Sequence, residues 1–329
     1  MFDAETIHRL LPYEVLIPAL QKMHEGEIPD GDGVYTKDPS GGDNMFVTLP
    51  GWLSGQLIVV KMVGVFPTNR DRNPPLGSVL GAVAAFDPKT GAPILVADGE
   101  AMTYRKTAAI SGLGTALLAP PTPRELLVVG AGGLGPHVAM AHIAARPSIS
   151  RVRIWNRTWS RAEALAALLC TLGIEATAAP DLDAAVAEAD VISCVTMSRA
   201  PLVKGALLKP GAHLDLVGSY LTDMRETDDD AMRRGSVYTC CDRGREEVGE
   251  LTIPIASGAL SLDDIQGDAF DLVQGRRSGR VSAKEITLFK NIGGAHQDVF
   301  TAVILKQAAG LQPSEIRGWL IRIPHKQSL

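Results

Sequence analysis

The sequence predicts an α/β fold, a doubly wound parallel sheet joined to a second unit of α+β type. Three observations carry that expectation. An apolar run at 126–129 leads straight into Gly130-Ala131-Gly132-Gly133-Leu134-Gly135 and then into an alanine-rich stretch. From residue 122 to 245, short apolar runs alternate with helical patterns, the signature of a parallel sheet covered by helices. Between 45 and 91 the strand-like runs are instead accompanied by turn sequences, Pro50-Gly51 and Pro88-Lys89-Thr90-Gly91, as in an antiparallel sheet.

The elements follow in order. Helices are expected at 3–10 and 12–25, then a loop rich in Gly and Asp from 29 to 44. Strands follow at 45–49, 56–65 and 79–87. A helix starts near Thr103, runs through YRKTAAISGLGTALLA and ends at the boundary segment PPTPR, 120–124. Beyond it, strands are expected at 125–129, 151–155, 175–179, 190–196, 213–218 and 236–240. Helices are expected at 135–146, 160–172 and 182–189, giving a sheet of roughly six strands. At the far end, 284–309 supplies a strand (EITLFK), a glycine turn and a helix that returns to the first unit. The division expected is 1–119 with 298–329 as a substrate and dimerisation domain, and 120–297 as a nucleotide-binding domain.

Strand, glycine turn, helix and second strand, in that order, form a dinucleotide-binding unit of Rossmann type. Gly130 permits the tight turn, Gly132 lets backbone approach a pyrophosphate, and Gly135 lets the helix pack close to the strand. Ala131, Gly133 and Leu134 complete the loop, and the helix N-terminus offers free N–H groups to phosphates. The second strand ends in Asn156-Arg157-Thr158 where an NAD-preferring site usually carries a carboxylate. Arg157 can pair with a 2′-phosphate, and Asn156 and Thr158 can hydrogen-bond to it, so NADP(H) is favoured over NAD(H). Arg151, Arg153 and Arg161 add positive charge nearby.

The chain has 329 residues, 46% hydrophobic and 21% charged, with a formal net charge of −5. That balance predicts an ordinary globular protein and gives no sign of a nucleic-acid surface. No apolar run reaches membrane-spanning length, and the N-terminal segment MFDAETIHRLL lacks a signal-peptide core, so a cytoplasmic location is expected. The four cysteines, Cys170, Cys194, Cys240 and Cys241, make no disulfide framework; the adjacent pair closes a strand and reads as small buried residues. With no CxxC or HExxH spacing, no metal is expected.

Several further segments carry a resemblance: VVKMVGVFPTN (59–69), FDPKTGAP (86–93), DGEAMTYRKTAA (98–109), ADVISCVTMS (189–198), LVGSYLTDMRE (216–226) and GRVSAKEITLFKNIGGAHQDVFTA (279–302). In order and spacing, with the glycine motif among them, they resemble the ornithine cyclodeaminase/μ-crystallin family over about residues 45–310. The resemblance implies NAD(P) dependence and a dimerising substrate domain built from the N-terminal part and the C-terminal helix. It also implies one of several activities: cyclodeaminase, an alanine dehydrogenase type, or a reductase of cyclic or open-chain ketimine acids.

A carboxylate-bearing substrate needs fixed cations. Lys61 lies in a strand with apolar neighbours on both sides, where a lysine requires an anionic partner or a reason to lose its proton. The family places its substrate-binding lysine there. Its arginine before Thr-Ala-Ala is Lys106 in this chain, with Arg105 one residue earlier. Lys106 is in register with Ile110, Leu113 and Leu117 and is the favoured cation, Arg105 the reserve. A third family cation has only Lys37 as a counterpart. At 218–220 the cyclodeaminases and the alanine dehydrogenase type carry an aspartate two residues after the glycine; here the residues are Gly218-Ser219-Tyr220. Loss of that carboxylate argues for plain imine reduction, with Tyr220 lining the pocket or packing. Thr196, Ser198, Val217, Gly218, Gly293 and Gly294 touch the cofactor by resemblance. His296 is either a proton source or a packing residue, Asp298 is structural, and Asn69 shapes the loop beside Lys61.

The resulting expectation is reduction of a cyclic ketimine acid such as Δ1-pyrroline-2-carboxylate or Δ1-piperideine-2-carboxylate, with Lys61 and Lys106 as the catalytic pair, in a homodimer. The rivals are a cyclodeaminase or amino-acid dehydrogenase, and a binding protein that holds NADP(H) and a small ligand without turnover.

Overall fold

The computed structural model describes residues 1–74 and 76–311. In chain order, helices α1 (Ala4–Leu10) and α2 (Tyr13–Met23) precede strands β1 (Val34–Lys37), β2 (Met45–Leu53), β3 (Leu57–Val65), β4 (Val79–Phe86) and β5 (Pro93–Asp98), then the long α3 (Gly99–Leu118). The second unit runs β6 (Glu125–Val129), α4 (Gly135–Ala145), β7 (Arg151–Trp155), α5 (Trp159–Thr171), β8 (Ala176–Ala178), α6 (Leu182–Glu188), β9 (Val191–Cys194) and β10 (His213–Leu216). It continues with α7 (Asp229–Arg234), β11 (Gly235–Thr239), α8 (Gly249–Ser257), β12 (Ile265–Asp268), α9 (Ala269–Val273), β13 (Ile286–Lys290) and α10 (Ala295–Ala308).

β1 to β5 form an antiparallel sheet in sequential order. Leu57, Val59, Lys61 and Val63 alternate inward along β3, and α10 packs on the inner side of β2 and β3. Three expectations are corrected here. Pro50-Gly51 is not a turn but lies inside β2, and the chain reverses at 54–56. β1 pairs only with residues 45–48, so Pro50, which lacks an N–H, sits where one side of the strand has no continuous ladder to feed. Gly51 faces α10, where a Cβ would lie 2.5 Å from Val299. β1 itself emerges from the segment expected to be loop. All four of its residues are exposed, so no in-out alternation of burial announces it. β5, also unexpected, is short and bounded by Pro93 and Asp98.

α3 starts at Gly99, not near Thr103, because the Asp98 side chain accepts the Ala101 N–H at 2.8 Å and caps it. Lys106 is therefore well inside the helix rather than in its first turn. α3 packs on α2, α4 and α10 and joins the two units.

The second sheet is wholly parallel among the described residues, with order β12-β11-β13-β10-β9-β6-β7-β8, eight strands where six were expected. EITLFK enters it as β13 between β11 and β10, and β12 (IQGD) carries too little apolar sequence to announce itself. The order reverses between β6 and β9, and a crevice opens at the carboxyl ends of strands at such a switch point. Of the C-terminal segment assigned to the first domain, residues 312–329 lie outside those described.

Candidate active site

The cleft at that switch point has a volume of about 720 Å³. Its walls include Gly130, Ala131, Gly132, Gly133 and Leu134 at one end of β6, Asn156, Arg157, Thr158 and Arg161 after β7, and Thr196 and Ser198 after β9. α3 contributes Glu100, Thr103, Tyr104 and Thr107, and the loop before β4 contributes Leu76, Gly77 and Ser78, with Val79 at the start of the strand. Backbone geometry explains the glycines. Gly130 has φ +115° and a Cβ there would meet the Val195 carbonyl at 2.9 Å. A Cβ on Gly132 would meet nothing within 4 Å, so its open face suits the close approach of a pyrophosphate. Gly135 is not in the wall; a Cβ there would lie 2.8 Å from Leu165, so it is the helix-packing glycine. Gly133 makes room for the Tyr104 hydroxyl, which a Cβ at that position would meet at 2.2 Å. This cradle fits a dinucleotide.

Asn156 braces the loop, its Oδ1 accepting the Ala131 N–H at 3.1 Å and its Nδ2 donating to the Thr158 carbonyl at 2.9 Å. Arg157 and Thr158 are exposed at the cleft wall beside Arg161. Among the described residues the only carboxylate in the wall is Glu100, engaged with the Tyr104 hydroxyl at 2.9 Å.

The lysines occupy a second, drier place. Lys61 on β3 and Lys106 on α3 converge on Asp298 of α10: Lys106 Nζ is 2.8 Å from Oδ2 and Lys61 Nζ 3.6 Å from Oδ1. Lys106 also donates to the Gly294 carbonyl at 3.4 Å. All three side chains are almost wholly buried. Neither lysine is in the cleft wall, but Lys106 stands on α3 between Thr103 and Thr107, which are. Burial pulls the Lys61 ammonium down to about 8, with Asp298 opposing and Lys106 reinforcing the shift. Asp298, expected to be merely structural, is thus the anion shared by both cations. Asn69 is buried and pins the 66–77 loop through the Gly77 carbonyl at 3.0 Å.

Other expected residues stand elsewhere. Arg105 is committed to the N-terminal helices: Nε donates to His8 Nδ1 at 2.9 Å, Nη2 to the His8 carbonyl at 3.1 Å, and the guanidinium lies 4.5 Å from the Tyr13 ring centroid. Its partners leave it no part in the Lys61, Lys106 and Asp298 group. Lys37 is exposed at the end of the edge strand. His296 is packed among Phe270 and Phe300, at 6.1 and 6.2 Å between centroids. Burial, reinforced by His24, Lys106 and Arg243, pushes its imidazolium well below the ordinary range, so it packs as a neutral ring. Tyr220 is 45% exposed, and its hydroxyl reaches Met197 Sδ at 3.7 Å, at the rim of the cleft. Val217 and Gly218 are half-buried just beyond β10, and a Cβ on Gly218 would collide with the Thr196 carbonyl. Gly293 and Gly294, at φ +90° and +131°, make the turn that carries the carbonyl bonded to Lys106. Glu226, which the sequence did not single out, accepts hydrogen bonds from Thr196 and Gly218 from beneath. Among the described residues no group of three or more His, Cys, Asp or Glu could hold a metal, and no helix is long and apolar enough to cross a membrane.

Comparison with known proteins agrees with this architecture. The model of the ornithine cyclodeaminase/mu-crystallin family matches residues 6–310. A Delta(1)-pyrroline-2-carboxylate reductase of Paracoccus denitrificans is 38% identical over 299 residues, covering 89% of this chain and 91% of that one. Protein SAR DEFICIENT 4 of Arabidopsis thaliana is 37% identical over 316 residues, covering 92% and 95%. The structure of Thermococcus litoralis Delta(1)-pyrroline-2-carboxylate reductase in complex with NADH and L-proline superposes with a TM-score of 0.88 at 26% identity, covering 94% of this chain and 98% of that one. A nicotinamide cofactor cleft on this fold, with this match over nearly the whole chain, places the protein in the ornithine cyclodeaminase/mu-crystallin family of NAD(P)-dependent oxidoreductases.

Proposed function

We propose that the protein reduces a cyclic ketimine acid of the Δ1-pyrroline-2-carboxylate or Δ1-piperideine-2-carboxylate type to the corresponding amino acid. The observation that carries this reading is the buried Lys61, Asp298 and Lys106 group beside the dinucleotide cleft. Two ammonium groups around one carboxylate leave a net positive site for a small carboxylate, in a dry setting where charge interactions are strong. A bound nicotinamide supplies hydride. Lys106 holds the substrate carboxylate as a point charge, without the bidentate grip an arginine would impose. Lys61, brought down to about 8, is poised to give a proton from Nζ to the imine nitrogen near neutral pH. Tyr220 at the rim offers no carboxylate for amine transfer, which favours reduction over cyclodeamination.

Arg157, Arg161 and Thr158 at one end of the cleft, with no carboxylate among them, favour NADP(H) over NAD(H). A homodimer fits the outer face of the antiparallel sheet. Ile58, Val60 and Met62 of β3 stand half-buried opposite Lys61, flanked by Phe46 and Trp52 of β2, which are 48% and 50% exposed. The five strands, of four to nine residues each, span roughly 600 Å², below but of the order of the ~800 Å² per partner of a standard interface. An apolar sheet face of this size suits a second copy of itself.

The test is oxidation of NADPH and of NADH with a panel of cyclic imine acids, and with pyruvate plus ammonia or methylamine. Turnover of a cyclic imine acid, faster with NADPH, is expected. Tight dinucleotide binding with no turnover of any imine would overturn the reductase reading, and ammonia release from ornithine would replace it with cyclodeamination.

A further inference from the structure

Two glutamates buried beneath the cleft take no part in the proposed reduction. Glu226 and Glu250 are wholly inaccessible to solvent, and Lys290 nearly so. Glu226 Oε1 accepts from the Thr196 N–H at 2.6 Å and the Thr196 hydroxyl at 2.8 Å, and Oε2 accepts from the Gly218 N–H at 2.8 Å. Thr196 follows β9 and Gly218 follows β10, so one carboxylate spans the ends of two neighbouring strands at the switch-point crevice. Glu250 of α8 fixes the segment that carries Glu226. Its Oε2 accepts the Glu226 N–H at 2.6 Å and the Ser219 hydroxyl at 2.8 Å, and its Oε1 accepts the Thr227 N–H at 3.0 Å. Lys290 of β13 donates to Ser219 Oγ at 3.2 Å and supplies the cation.

We infer that Glu226 is a positioning residue of the cofactor cleft, tying Thr196 of the cleft wall to the Gly218 backbone behind it. The role rests on reading that cleft as a dinucleotide site. Two of the three groups facing the carboxylate are backbone N–H donors, one on each oxygen, and the Thr196 hydroxyl donates as well, an arrangement that suits the ionised, acceptor-only form. A protonated carboxyl would set its own O–H against one of those donors, and the wall would loosen. The charged and titratable groups around it are Glu250 from α8, Lys290 from β13 and Cys194 from β9, with Asp215 of β10 and Cys240 after β11 facing Lys290 in turn. Burial, and then Glu250, push Glu226 up to about 7 against Lys290 and the Thr196 donors. The wall is therefore firm above neutrality and loosens as pH falls through about 7.

The test measures NADH affinity by fluorescence titration between pH 6 and 8.5, in the wild-type protein and in Glu226→Gln and Thr196→Val. NADH serves as the probe because it lacks a 2′-phosphate, whose second ionisation near pH 6 would confuse the profile. In the wild type, affinity falls about tenfold from pH 8 to pH 6, the cost of one charge-assisted hydrogen bond. Glu226→Gln, whose amide N–H₂ opposes one donor, binds weakly at every pH with a flat profile. Thr196→Val removes a donor that stabilises the anion, so its inflection moves to higher pH; it also serves as the readout if Glu226→Gln does not fold. Wild-type binding with a profile unchanged in either variant would overturn the positioning role alone. No NADH binding by the wild type at any pH would overturn both the role and the reading of the cleft.

Discussion

The dinucleotide cleft and the lysine pocket are neighbours built on opposite principles. The glycine-loop end of the cleft is made largely of backbone: glycines in a turn, a helix N-terminus and an asparagine that braces them, all within residues 130–156. The lysine pocket is made of side chains from three elements, and Lys106 meets Asp298 across 192 positions of chain. The first should fail when a methyl group is added, and the second when a charge is removed, so mutation should separate binding from chemistry.

The largest effect is expected from removing Lys61. Lys61→Met should lower kcat/KM by about 10²–10³-fold, the usual loss when a preorganised charge at the reacting centre is deleted, and leave dinucleotide affinity unchanged. Steady-state kinetics beside a fluorescence titration would check this; a parallel loss of affinity would show that the two regions are not independent.

Next come the glycines, which divide the cleft itself. Gly130→Ala forces a Cβ onto a residue at φ +115° and against the Val195 carbonyl, and should destabilise the fold by about 1–3 kcal/mol. Gly132→Ala points into open space, so it should unfold like the wild type yet bind dinucleotide about tenfold or more weakly. Denaturant melts and titrations on both variants would distinguish fold from function. Arg157→Ala should raise the KM for NADPH about tenfold, the cost of a charge-assisted hydrogen bond, and leave that for NADH alone. Equal effects on both would remove the case for a 2′-phosphate site.

Asp298→Asn sharpens the comparison from the other side. Lys61 must hold its proton to donate it, so activity should decline as pH rises through about 8. Asp298 raises that value, and its neutral replacement should move the decline to lower pH by about one unit. An alkaline limb that Asp298→Asn leaves at its wild-type pH would rule Lys61 out as the proton donor. The smallest catalytic effect belongs to Arg105→Met. Its contacts to His8 and Tyr13 are structural, so stability should drop by about 1–3 kcal/mol with kcat little changed. A collapse of kcat in a folded variant would restore Arg105 to the substrate site.

How far these regions could be read in advance follows from the same contrast. The glycine loop, the strand before it and Asn156 with Arg157 form a local pattern, and periodicity located nearly all of the parallel sheet. The strands that escaped did so for different reasons: β12 (IQGD) carries little apolar sequence and β1 (VYTK) is a four-residue exposed edge, whereas the Ile-Leu-Val-Ala run of β5 (PILVAD) does read as strand and was missed. Lys61 was legible because an apolar strand cannot bury a lysine without a reason. Glu226 was not, because a carboxylate in LTDMRE looks like any exposed acid until the fold encloses it.

The sequence alone determined the α/β class and the dinucleotide loop, marked out Lys61 as a lysine in an apolar strand, and pointed to Lys106 through a family resemblance. The first three depend on backbone sterics and on the cost of burying charge, both of which act over a few residues. Only the tertiary structure decided what each cation faces. It gave Lys106 rather than Arg105 to Asp298, put His296 among aromatic rings, and set Glu226 beneath Thr196 and Gly218. Partner choice among buried charges depends on which distant side chains arrive within hydrogen-bond distance, and packing sets that.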